Sequence, residues 1–176
     1  MINFKLILIM KKVFLYFSII FMSIVAYASA NEPVFDGKYY NWNVFKFIND
    51  NDEVMCYVAS YPIKTVGNYK GDREPYFMIT YFRSKEKQEV SLYADYKYKI
   101  GSLVHIMVDS NKYELVTKDK MAWTKTKVMD KQLIENLLKA KDIKVRSEST
   151  KNEYTVDYYT TKGLFVAYNR MMELCK

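Results

Sequence analysis

The stretch "YFMITYFRSKEKQEVSLYAD" (Tyr76–Asp95) decides the fold class. It opens with a run of aromatic and β-branched residues, Tyr76 to Phe82, which suits a half-buried extended chain. The charged segment "SKEKQ" follows, and "EVSLYAD" then returns to alternation. Two strands flanking a polar turn form a hairpin. The same grammar continues downstream. "SLVHIMV", "YELVT" and "MAWTKT" read as three strands joined by the turns "DSNK" and "KDK". Upstream, "KYYNWNVFKFI" (Lys38–Ile48) reads as one strand, "NDND" (Asn49–Asp52) as a turn and "EVMCYVAS" as the next strand. Val54, Cys56 and Val58 share one face at the two-residue period. "YPIKTVGNYKGDREP" (Tyr61–Pro75) reads as a long loop, and "IKVRSES" with "EYTVDYYT" as a late strand pair.

Two segments follow a helical period instead. In "DKQLIENLLKAK", Leu133, Ile134, Leu137 and Leu138 fall on one face, with Asp130 as the expected N-cap. In Gly163–Cys175, Leu164, Ala167, Tyr168, Met171, Leu174 and Cys175 recur at helical spacing. Three prolines and five glycines leave no linker-like stretch, and no repeat stands out. The expectation is a mainly β chain forming a single β-sandwich-like domain. Two α-helices, one internal and one C-terminal, pack on it.

The N-terminus has another character. "MINFKLILIMKK" carries three lysines and no acid, Val13–Ala26 is free of charge, and Ala28 and Ala30 hold the small-residue positions of an A-x-A end. These are the parts of a secretory signal peptide, with cleavage expected after Ala30. Residues 1–30 are thus read as the leader and 31–176 as the domain. The apolar run is shorter than the ~20 residues a membrane span needs. The alternative is an uncleaved anchor. Met10 begins a second complete leader, so translation can start at Met1 or Met10. The chain's net charge of +7 falls to +4 without the leader, with 24 basic residues against 20 acids. Basic and acidic residues are interspersed, which argues against a nucleic-acid partner.

The two cysteines, Cys56 and Cys175, both lie beyond the leader. In an oxidising compartment two cysteines point to one bridge; the alternative is two buried free thiols. Each belongs to an apolar face, one on a strand and one on the last helix, so both sulfurs can meet between helix and sheet.

No reaction is written in the remaining residues. His105, the single histidine, shares a strand face with Leu103 and Met107, which suggests a core or half-buried position. A metal or general-base role would require partners. "SKEK" (Ser84–Lys87) matches S-x-x-K but lacks the companion S-D-N and K-T-G motifs. "DNDE" (Asp50–Glu53) lacks the central glycine and distal glutamate of a calcium loop. No catalytic residue, metal ligand or cofactor is expected. The seventeen tyrosines fit strand packing and also fit a binding surface.

Several of these stretches together resemble the invasion-associated locus B family. The resemblance is carried by Trp42 in an aromatic strand, Cys56-Tyr57 with Pro62 after it, "GDREPYFMITYFR", and Trp123 just before a helix. Asp157-x-Tyr159 with Gly163 and the late Cys175 complete it. It covers nearly all of the chain beyond the leader. The resemblance implies an exported or periplasmic bacterial protein with a β-sandwich-like domain; the periplasm is the expected location, with the outer surface or secretion as the alternative. Some members are linked to entry into host cells, and none offers catalytic residues to carry over. This chain departs from the family where Lys46 replaces a further cysteine, Tyr40-Asn41 replaces Gly-Asp, and Leu164 replaces Phe. The leading expectation is a non-enzymatic envelope or host-interaction protein. Its partner would be an envelope or host protein or glycan, with no membrane span after cleavage. The rivals are a periplasmic enzyme using His105 or Asp157 as its base, and a structural envelope component.

Overall fold

A computed structural model describes residues 32–176. The expected leader and its Ala28 and Ala30 cleavage positions lie outside the described residues.

The chain forms eleven strands and two α-helices: β1 (Val34–Tyr39), β2 (Trp42–Ile48), β3 (Val54–Ser60), β4 (Lys64–Gly67), β5 (Tyr76–Phe82), β6 (Lys87–Tyr93), β7 (Leu103–Val108), β8 (Asn111–Lys118), β9 (Met121–Trp123), α1 (Lys127–Leu137), β10 (Asp142–Glu148), β11 (Tyr154–Thr160) and α2 (Leu164–Leu174). All strands belong to one antiparallel sheet in the order β1-β2-β3-β5-β6-β9-β8-β7-β10-β11-β4. The β-rich domain with two helices is as the sequence indicates. The two layers of the expected sandwich are made by one continuous sheet that doubles over. Trp42 on β2 donates its indole N–H to the Thr160 carbonyl on β11 at 3.0 Å. Its ring meets Phe77 on β5 edge-on, and Phe77 meets Tyr159 on β11. Strands far apart in the sheet order thus share one core.

Alternation assigns the faces. Trp42, Val44, Cys56, Val58, Phe77, Ile79, Val90, Leu92, Val104, Ile106, Ile143 and Val145 are buried on the inner face. A fully buried side chain of this kind is worth roughly 1.5–3 kcal/mol. The helices pack on the sheet with their apolar faces. α2 buries Leu164, Ala167 and Met171 and packs on β1, β2 and β3; α1 buries Leu133, Ile134 and Leu137 and packs on β6. Cys175 caps α2 and lies at disulfide-bonding distance from Cys56, with Cα atoms 5.7 Å apart.

Four local expectations are corrected. Lys38–Ile48 is two strands, β1 and β2, joined through Tyr40-Asn41. Tyr40 takes φ 55°, a left-handed conformation that favours glycine. The supposed loop Tyr61–Pro75 contains β4, which pairs with β11. The charged turn is a tight 3₁₀ turn at Arg83–Lys85, and Lys87 already belongs to β6. Thr126, not Asp130, caps α1 by accepting the Met129 N–H. Asp130 is buried one turn further in, where its Oδ1 accepts the Val90 N–H at 2.8 Å.

Both sheet edges are blunted, which limits edge-to-edge pairing. β4 has only four residues and includes a lysine. β1 carries a bulge at Asp36, which Arg170 of α2 grips through Nε and Nη2 at 2.8 and 2.7 Å. That contact holds the Asp36 carboxyl below its usual range against the opposing effect of burial.

Candidate functional site

The antiparallel register of β7, β10, β11 and β4 sets side chains in rows. Lys144 on β10 stands opposite Met107 on one side and Tyr158 on the other, and Tyr158 stands opposite Lys64 on β4. The next row runs His105, Arg146, Val156 and Val66. Ile143, Val145 and Ser147 point inward, so Lys144 and Arg146 between them point to solvent. Lys64 and Lys144 each place Nζ 5.8 Å from the Tyr158 ring centre, and Arg146 lies 4.5 Å from that of Tyr154. Two hollows open on this outer face. One, of about 650 Å³, has Ile63, Lys64, Asp109, Asp142, Lys144 and Tyr158 among its lining; the other, of about 270 Å³, has His105, Arg146, Glu148 and Tyr154.

His105 is half-exposed on this outer face rather than in the core. It does share that face with Leu103 and Met107, as the alternation requires. Its Nδ1 is buried without a hydrogen-bond partner among the described residues and lies 3.6 Å from Glu114 Oε1. No second imidazole or thiol converges on it, and among the described residues no group of three His, Cys, Asp or Glu is placed to hold a metal ion.

Behind the same strands lies a buried polar cluster. Asp157, one residue from Tyr158, points inward, where its Oδ1 accepts from Thr65 Oγ1 at 2.6 Å and pairs with Arg73. Arg73 also faces the Tyr96 ring. The Tyr96 hydroxyl is within hydrogen-bond reach of Ser147 Oγ at 2.7 Å and Thr155 Oγ1 at 2.8 Å. Burial pushes the Tyr98 and Tyr159 phenols upward beside this cluster. Asp157 is therefore engaged in holding the Arg73 loop against β11, which gives the base considered for it a structural task. Arg73 was not anticipated, because its partner lies 84 residues away.

The remaining motifs stay apart from any site. Ser84 Oγ lies 3.5 Å from Glu53, while Lys87 pairs with Glu89 at 2.6 Å, so S-x-x-K assembles no nucleophile and base. Asn49 Oδ1 accepts from the Asn51 and Glu53 N–H groups and shapes the "NDND" turn. The tyrosines divide by face. Tyr96, Tyr98 and Tyr159 are buried, whereas Phe45, Tyr57, Tyr76 and Tyr93 are half-buried on the outer face. There Phe45 stacks on Tyr57 and Tyr76 on Tyr93. Burial raises the Tyr57 phenol to about 12. Among the described residues, no helix is long and apolar enough to cross a membrane.

No family model matches the chain, and no curated protein matches it significantly. Among solved structures, a crystal structure of invasion associated protein B from Bartonella henselae is similar, with a TM-score of 0.56. The match covers 80% of this chain and 97% of the other, at 13% sequence identity. At that identity the likeness is one of fold.

Proposed function

We propose that the chain is an exported envelope protein of the invasion-associated B type and that it works by binding rather than by catalysis. The observation that carries this reading is the fold likeness to invasion associated protein B over nearly the whole of that protein. Three features support it. The leader-like N-terminus directs export, and Cys56 and Cys175 stand where an oxidising compartment would join them. Of the two candidate bases, Asp157 is spent on a buried ion pair, and His105 has Glu114 beside it but no second imidazole or thiol.

Photo-crosslinking in intact cells, preceded by fractionation and sequencing of the mature N-terminus, tests the reading. The expected result is a chain beginning at Asn31, recovered from the periplasm or surface and joined to one dominant envelope or host component. Recovery of an unprocessed cytoplasmic chain would refute export. Loss of every partner under mild washing would refute binding.

A further inference from the structure

The cations of the outer face are arranged rather than scattered. Lys144 and Lys64 sit on β10 and β4 with β11 between them, and Tyr158 fills the gap in the same row. Neighbouring strands lie about 5 Å apart, so the backbones that carry the two lysines are roughly 10 Å apart. Arg146 lies two residues along β10 from Lys144 and faces the same side. None of the three forms an ion pair with a carboxylate among the described residues. Carboxylates also border this face, and two of them, Asp109 and Asp142, line the larger hollow. Glu148 pairs with Lys99, Glu114 stands beside His105, and Asp142 sits at the start of β10.

We propose that this face, centred on Lys64, Lys144, Arg146, Tyr154 and Tyr158, binds a linear anionic polysaccharide. The proposal rests on the reading of the chain as an exported binding protein and gives that protein a ligand class. Fixed cations in a row match a polymer whose carboxylate or sulfate groups recur at intervals along its length. The tyrosine rings between them offer apolar surface to sugar rings, and the 650 Å³ hollow beside Tyr158 has room for a sugar unit whose hydroxyls could donate to Asp109 and Asp142, the polymer's acidic groups lying over the lysines. A bilayer surface is a poorer match, because insertion uses apolar side chains projecting from a basic face. Here Tyr158 is half-buried and Val156 buried among the cations, and the exposed apolar surface beside them is limited to Ile63, Val66 and Tyr154.

The test uses the exported protein with immobilised heparin as the anionic polysaccharide, dextran as a neutral one, and phosphatidylglycerol vesicles. Binding to heparin should weaken steeply with salt, as counterion release requires. The double variant Lys64→Gln/Lys144→Gln should weaken it about tenfold or more. Lys127→Gln/Lys131→Gln, which removes the same charge from exposed positions of α1, should change it less than about twofold. All four side chains are exposed, and equal thermal midpoints would certify the folds. Equal weakening by the two double variants, binding to dextran as tight as to heparin, tighter adsorption to vesicles, or no heparin binding would each overturn the proposal. A partner still captured in cells while heparin fails would leave the proposed function standing and remove the ligand class alone. A chain found unexported would remove the function whatever heparin does.

Discussion

Arg73 and Asp157 form an ion pair whose side chains are only 5% and 4% exposed. Such a pair contributes little net stability against an apolar substitute, yet breaking it strands a charge and costs about 3–5 kcal/mol. Asp157→Asn keeps an acceptor for Thr65 and removes the charge. It should lower the urea-unfolding free energy by roughly 3 kcal/mol. Arg73→Met/Asp157→Asn should recover at least half of that loss. A single-variant loss under about 1 kcal/mol would mean that the pair is hydrated.

Joining Cys56 to Cys175 closes a loop spanning 119 positions. In the chain-entropy account a bridge of that span contributes up to about 5 kcal/mol. Reductant should therefore shift the urea midpoint sharply downward, and the Cys56→Ala/Cys175→Ala variant should match the reduced protein. Alkylation of protein from its native compartment should find no free thiol; two free thiols would reject the bond.

Asp95 accepts from Lys120 Nζ at 2.9 Å, the Tyr93 hydroxyl at 2.8 Å and the Glu74 N–H at 3.2 Å. The Lys120 hydrogen bond leads in lowering its pKa from 3.8 to about 2. The folded form has the lower value, so its stabilising contribution is complete above about 3.8 and fades as pH falls through about 2. Carboxyl NMR should show that midpoint, and Lys120→Met should move it upward. An unchanged midpoint would remove Lys120 as the cause.

Gly163 precedes α2 at φ 92°, and a Cβ there would collide with the Tyr39 carbonyl oxygen. Gly101 has a similar φ of 76° but open space around it. Gly101→Ala should cost only the left-handed backbone preference, roughly 1–2 kcal/mol. Gly163→Ala should cost clearly more, because the β1–β2 turn must shift as well. Thermal unfolding compares the two, and equal losses would mean that the turn yields freely.

The strands and helices were legible because period two and period 3.6 survive in most segments. The hairpin at Tyr40-Asn41 was hidden because a tyrosine, rather than glycine, takes the left-handed position. β4 was hidden because all four of its residues are exposed and no alternation marks it. Asp130 resembled a cap because caps favour aspartate, but its carboxylate serves a strand 40 residues earlier. The outward direction of Lys144 and Arg146 could be read from "IKVRSES". Their alignment with Lys64 depends on the β11–β4 register, which no local pattern encodes.

The pairing of β4 with β11 also bears on the order of folding. The hairpins β1–β2, β2–β3 and β5–β6 join segments that lie within a few residues of each other in the chain. Lys64–Gly67 must wait for Thr155–Tyr158, and Arg73 waits for Asp157 over the same interval. Non-local pairings of this kind slow folding, because loop closure is unfavourable until the distant strand arrives. The lysine-bearing face consequently takes shape late. A chain cut short before Tyr154 could pair its N-terminal hairpins but could not assemble the row of cations.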